Sequence, residues 1–107
     1  MPRYMIQFGY TSDAWAALAK NPADRSVGLA KLMEAAGGKL LDLYYHFGEY
    51  DGVAIVEAPD DTSATAAVIA AAAPGHLRST RTTRLMSVQE AMEAMRKAGT
   101  LSYQAPR

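Results

Sequence analysis

The stretch KLLDLYYHFGEYDGVAIVEA, from Lys39 to Ala58, constrains the fold more than any other part of the chain. Two runs rich in branched and aromatic residues, Lys39–Phe47 and Val53–Ala58, are separated only by GEYDG. A parallel crossover needs about a dozen residues or more, so these two strands pair antiparallel. Asp51 and Gly52 supply the turn chemistry: Asp bonds nearby backbone and Gly tolerates positive φ. Strict alternation in the first run puts Leu41, Leu43, Tyr45 and Phe47 on one face. Leu40, Asp42, Tyr44 and His46 fall on the other.

The flanking segments complete a recognisable order. RYMIQFGY (Arg3–Tyr10) has the content and length of a strand. TSDAWAALAK reads as a short helix capped by Thr11 or Ser12, with Trp15 and Leu18 on one face. NPADRSVGLAKLMEAAGG reads as a second helix, with Asn21 as N-cap, Pro22 at the first helical position and Asp24 near the positive end. Leu29, Leu32, Met33 and Ala36 carry its apolar stripe, and Gly37–Gly38 stop it. A further helix starts near Asp60 or Asp61 and ends at Pro74–Gly75, its many alanines permitting close approach to a sheet. The Thr-rich HLRSTRTTRLM is a fourth strand. SVQEAMEAMRKAG opens with a Ser87–Glu90 capping box and runs to Gly99. The order βαββαβ plus a terminal helix predicts an α+β, ferredoxin-like sandwich with helices on one face of an antiparallel sheet. The other face is left bare, and pairing with a second copy in a homodimer is the simplest way to cover it.

Composition narrows the function classes. The 107 residues fit one domain, and half of them are hydrophobic, enough for a core. With no cysteine, disulfides, thiolate metal sites and a Cys nucleophile are excluded. MPRYMIQFGY lacks the apolar run of a signal peptide, and ATAAVIAAAA is too short to span a bilayer, so a soluble cytoplasmic protein without membrane contact is expected. Net charge is +0, and Arg78, Arg81 and Arg84 split between the faces of a strand, Arg78 with Arg84 and Arg81 opposite. No basic stripe forms, so nucleic acid is not an expected partner. His46, Glu49 and His76 lack any metal-ligand spacing, so neither a metal nor another cofactor is expected.

At GGKLLDLYYHFGEYDGVAIVEAPDD the chain resembles the GYD-domain family, small proteins of the dimeric α+β barrel superfamily. The resemblance rests on Gly48, Tyr50 and Asp51, with Glu49 inserted, followed by VAIVEAPDD; NPADR, GGK and STRTTRLMS extend it. It covers residues 1–97 as one domain and leaves 98–107 as a tail. It implies the ferredoxin-like fold and a dimer. Superfamily relatives include cofactor-free monooxygenases, isomerases, dehalogenase-like and haem enzymes and small-molecule-sensing domains, and fold alone does not choose among them.

The chemistry-bearing residues concentrate around His46. An imidazole can gain and lose a proton near neutral pH. On the strand face expected for it, Asp42 and Tyr44 are neighbours, and Asp51 follows the strand end. One reading makes His46 a general base oriented by Asp51 or Asp42, with Tyr44 or Arg84 stabilising an anion, in cofactor-free proton transfer on a small metabolite. Arg84 and Asp42 are then ligand contacts, and Tyr10 and Trp15 line the mouth of a pocket between helices and sheet. The competing reading is structural: His46 satisfied at a dimer interface, Tyr50-Asp51-Gly52 a register-setting turn, and Tyr4, Tyr10 and Trp15 core or dimer contacts. Arg25, at the end of an apolar stripe, either snorkels or pairs with an acid. Two functions follow: a dimeric metabolite-binding protein with proton-transfer chemistry, or a non-catalytic dimeric sensing or assembly module. Whether the chain is an enzyme is left open.

Overall fold

A computed structural model describes residues 1–106. The elements are β1 (Arg3–Tyr10), α1 (Ser12–Lys20), α2 (Ser26–Ala35), β2 (Lys39–Tyr45), β3 (Gly52–Glu57), α3 (Asp61–Ala72), β4 (Leu77–Leu85) and α4 (Val88–Ala98). All strand pairs are antiparallel, in the order β2-β3-β1-β4. This is the ferredoxin-like arrangement expected from the element order.

Tyr4, Ile6, Ala54 and Val56 on the central strands meet Met33 of α2 and Ala64 and Ala67 of α3 in the core. The small side chains Ala64 and Ala67 of α3 pack into this core, and the α2 stripe of Leu29, Leu32, Met33 and Ala36 faces it as its spacing requires. Tyr4 is buried with its hydroxyl donating to Asp61 Oδ1 at 2.5 Å, which fastens β1 to the first turn of α3. That bond to a carboxylate, with burial added, raises the phenol above its ordinary pKa.

Three local features depart from the sequence reading. In β2, Leu40 pairs with Val56 but Asp42 with Ile55, so an extra residue is inserted at Leu41. The bulge resets the alternation, and Leu40, not Leu41, joins Leu43 against the core. The strand also ends at Tyr45, and Phe47 turns the chain away with φ of 54°. In α2, the helix starts at Ser26, not near Pro22. Asp24 instead accepts from the Ser26 N–H at 2.9 Å and its hydroxyl at 2.6 Å, a local alternative that competes with a helical first turn. In β4, the register breaks opposite Gly9 and Tyr10 at Arg78. Arg84 lies opposite core-facing Tyr4, Arg81 opposite Gln7, and the Arg78 guanidinium lies across Gly9, so Arg78 and Arg84 do not share a face.

The sheet face away from α2 and α3 is uncovered, with Met5, Val53 and Ile55 half-buried at its centre and Tyr44 exposed beside them. The capping box at Ser87 and Glu90 forms as expected and starts α4. No residue of α4 is buried, and its stripe of Val88, Met92 and Met95 faces solvent. The radius of gyration is 17.3 Å, against about 13 Å for a compact domain of this length, because the C-terminal segment projects from the sandwich. Among the described residues, no helix is long and apolar enough to cross a membrane.

Candidate functional site

Two clusters meet at Tyr10, the last residue of β1. The first is built on Asp51, in the turn before β3. Its Oδ2 accepts from the Tyr10 backbone N–H at 2.8 Å and the Trp15 indole N–H at 3.0 Å, and its Oδ1 lies 3.6 Å from the Arg78 guanidinium. The backbone of Asp51 is equally engaged: its N–H donates to Phe8 O at 2.8 Å, and its carbonyl accepts from His46 N–H at 3.0 Å. Arg78 also donates to the Glu49 carbonyl at 3.0 Å. One carboxylate therefore joins the β2–β3 turn to the β1–α1 junction and to β4. Burial alone would raise the Asp51 pKa, but the Tyr10 and Trp15 donors and the Arg78 charge together hold it below the usual carboxylate range.

Close packing completes this corner. At Gly52 a Cβ atom would stand 2.5 Å from Phe8 Cζ and 2.9 Å from the Tyr44 carbonyl, so only glycine lets the aromatic ring cross the strand here. The Tyr10 ring meets Trp15 edge-on at 5.1 Å and Phe8 at 5.4 Å; Phe47 stacks on Tyr45 at 6.0 Å and sits 5.7 Å from Trp15. Trp15, Leu18, Tyr45 and Phe47 line a shallow groove on the outer side of this cluster.

The second cluster is a cavity of about 260 Å³ between the sheet and the helices α2 and α3. Its walls are apolar, with Leu29, Leu32, Leu43 and Val68 among them, and among the described residues no Asp or Glu lines it. The polar side chains that reach it are those of Tyr10, Arg25, His76 and Thr80. The Tyr10 hydroxyl lies 3.2 Å from that of Tyr45. Burial, then the Tyr45 hydroxyl, push the Tyr10 phenol well above its ordinary pKa, while the nearby Arg25 guanidinium pulls the other way. Arg25 forms no salt bridge among the described residues. His76 carries its ring 6.3 Å from that of Tyr10, and its carbonyl accepts from Thr11 N–H at the start of α1.

The residues expected to act together are distributed over three places. Tyr44 and Asp42 share the uncovered sheet face, with the Tyr44 hydroxyl 3.5 Å from Asp42 Oδ1. His46 is exposed; among the described residues its imidazole makes no hydrogen bond, and it lines neither the cavity nor the groove. The Asp51 carboxylate is directed at Tyr10, Trp15 and Arg78, not at His46. Arg84 is on the opposite edge strand from Asp42 and Tyr44, three strand spacings or roughly 14 Å across the sheet. Tyr10 reaches the cavity and Trp15 the groove. Glu57 pairs with Arg3 at 3.5 Å. Sequence reasoning missed Arg25 and His76 as a pair; the available signal was a cation placed at the end of an apolar stripe.

The GYD domain family model matches residues 4–95, nearly all of the sandwich and most of α4. The chain belongs to the GYD-domain family. The signature residue Asp51 is the anchor of the first cluster, so in this GYD domain the signature marks the tie between the hairpin and β1. The crystal structure of MtbAldR is similar in fold, with a TM-score of 0.57 at 17% identity, over 80% of this chain and 52% of that one. The match covers about half of that protein, and the likeness shows the fold alone. No curated protein matches the sequence.

Proposed function

We propose that this GYD domain is a homodimeric small-metabolite-binding module, with the ligand held in the cavity between the sheet and α2/α3. The observation that carries this reading is the cavity itself: about 260 Å³, walled by aliphatic side chains, with a few polar groups converging at Tyr10. Small-molecule sites have that composition, an apolar lining with a small number of orienting polar groups. Between the two functions open at the sequence level, the geometry favours binding over proton transfer. Among the described residues His46 has no carboxylate partner, and it stands outside both concavities. The dimer is supported by the apolar centre of the uncovered sheet face, Met5, Val53 and Ile55, and by a net charge of +0, which sets no repulsion between copies.

Both parts are testable. Melting-temperature shifts across a metabolite panel should be found with the parent and lost in Ala71→Phe, which puts a ring into the cavity that Ala71 lines. A panel without any shift removes the binding reading. Sedimentation equilibrium should give twice the chain mass for the parent and the single mass for Ile55→Asp. A monomeric parent at micromolar concentration contradicts the dimer.

A further inference from the structure

Resting on the reading that the cavity is the binding site, we infer that its ligand is a small monocarboxylate with a compact apolar body, such as an arylalkanoic or medium-chain aliphatic acid, whose carboxylate is held by Arg25.

The size comes first. An apolar cavity of about 150 Å³ accepts benzene. One of about 260 Å³ has room for a ring with a short chain, or an aliphatic chain of comparable volume. The lining then sets the polarity. Leu29, Leu32, Leu43 and Val68 offer no hydrogen bond to the body of a ligand, so polar functions there would go unpaired.

The charge decides the head group. Arg25 stands immediately before α2, reaches the cavity, and has no carboxylate partner among the described residues. Asp24, its neighbour in the chain, is turned to Ser26. Among the described residues no acidic side chain lines the cavity, so a cationic ligand would find no counter-charge, whereas an anion finds a guanidinium whose planar fork matches a carboxylate. The Tyr10 hydroxyl and the His76 ring lie on the same side and add hydrogen-bonding capacity beside the guanidinium. Tyr10 is fixed there by the bond from its backbone to Asp51 and by its contact with Tyr45.

The test compares 3-phenylpropionate with 3-phenylpropan-1-ol, by isothermal titration and chemical-shift mapping on the full chain. The acid is expected to bind the parent at least tenfold tighter than the alcohol and to shift resonances of Leu32, Val68 and Tyr10. In Arg25→Ala the advantage should vanish, with the alcohol unaffected; Arg25→Lys should restore part of it. Equal binding of acid and alcohol overturns the carboxylate assignment while leaving the cavity as a binding site. An acid preference that survives in Arg25→Ala overturns the role of Arg25. If neither compound shifts a cavity resonance, the inference fails, and the metabolite panel decides separately whether the cavity binds anything else.

Discussion

Asp51 and Arg25 flank the same residue, Tyr10, and use their charges in opposite ways. Asp51 accepts from two N–H donors and faces Arg78, so its charge is fully engaged within the fold. Arg25 projects at the cavity with no salt-bridge partner among the described residues. The contrast separates two kinds of polar group near a pocket. A saturated carboxylate organises structure, and its loss is felt in stability. An unengaged cation contributes little to the fold and has its interaction capacity left for a ligand.

The largest effect belongs to the saturated group. Asp51→Ala strands the Trp15 and Tyr10 donors and the Arg78 charge; hydrogen bonds to a charged group contribute ~1.5–3 kcal/mol each, so a loss of about 3 kcal/mol is expected in urea unfolding. A loss under about 1 kcal/mol would break the comparison at its first term. Gly52→Ala presses a methyl group onto Phe8 and the Tyr44 carbonyl and should cost about 1–3 kcal/mol by the same measurement.

Acid titration sharpens the contrast. The Asp51 pKa is depressed in the folded state, so its stabilisation is complete above the unfolded value of about 3.9 and is lost as pH falls through the folded one. Stability of the parent should therefore decline steadily between about pH 5 and pH 2, and Asp51→Asn should flatten that limb. A residual slope remains, because Asp24, Asp60 and Glu90 are also lowered by bonds to Ser26, Ser63 and Ser87. An unchanged slope in Asp51→Asn would mean that its carboxylate is not held as the geometry indicates.

The smallest effects are at the unengaged groups. Arg25→Ala and His46→Ala should each stay within about 0.5 kcal/mol of the parent, as exposed side chains without a salt bridge among the described residues do. The two differ only with ligand: His46→Ala should bind as the parent does, whereas Arg25→Ala should not.

How much of this was legible in the sequence follows from the range of each interaction. Element order, the short β2–β3 connection, the Ser87–Glu90 capping box and the α2 stripe are local patterns, and the structure reproduces them. The bulges at Leu41 and Arg78 were hidden because alternation is set by pairing across strands, which composition does not encode. The start of α2 moved because Asp24 bonds Ser26, an option that competes with Pro22 at a helical first position. That shift is also why Arg25 was hard to see as a site residue. The partners of Asp51, at positions 10, 15 and 78, are remote in sequence, so the turn residue could be recognised as a signature but not as a hub.

The central claim is that Asp51 holds the fold while Arg25 holds the ligand, and one crossed measurement addresses it: melting temperatures of the parent, Arg25→Ala and Asp51→Asn, each with and without saturating 3-phenylpropionate. Arg25→Ala is expected to melt with the unliganded parent and to gain much less from the acid than the parent does, no more than from the alcohol, while Asp51→Asn melts lower yet keeps the ligand-induced rise. An Arg25→Ala protein that melts well below the parent but still responds fully to the acid would contradict it.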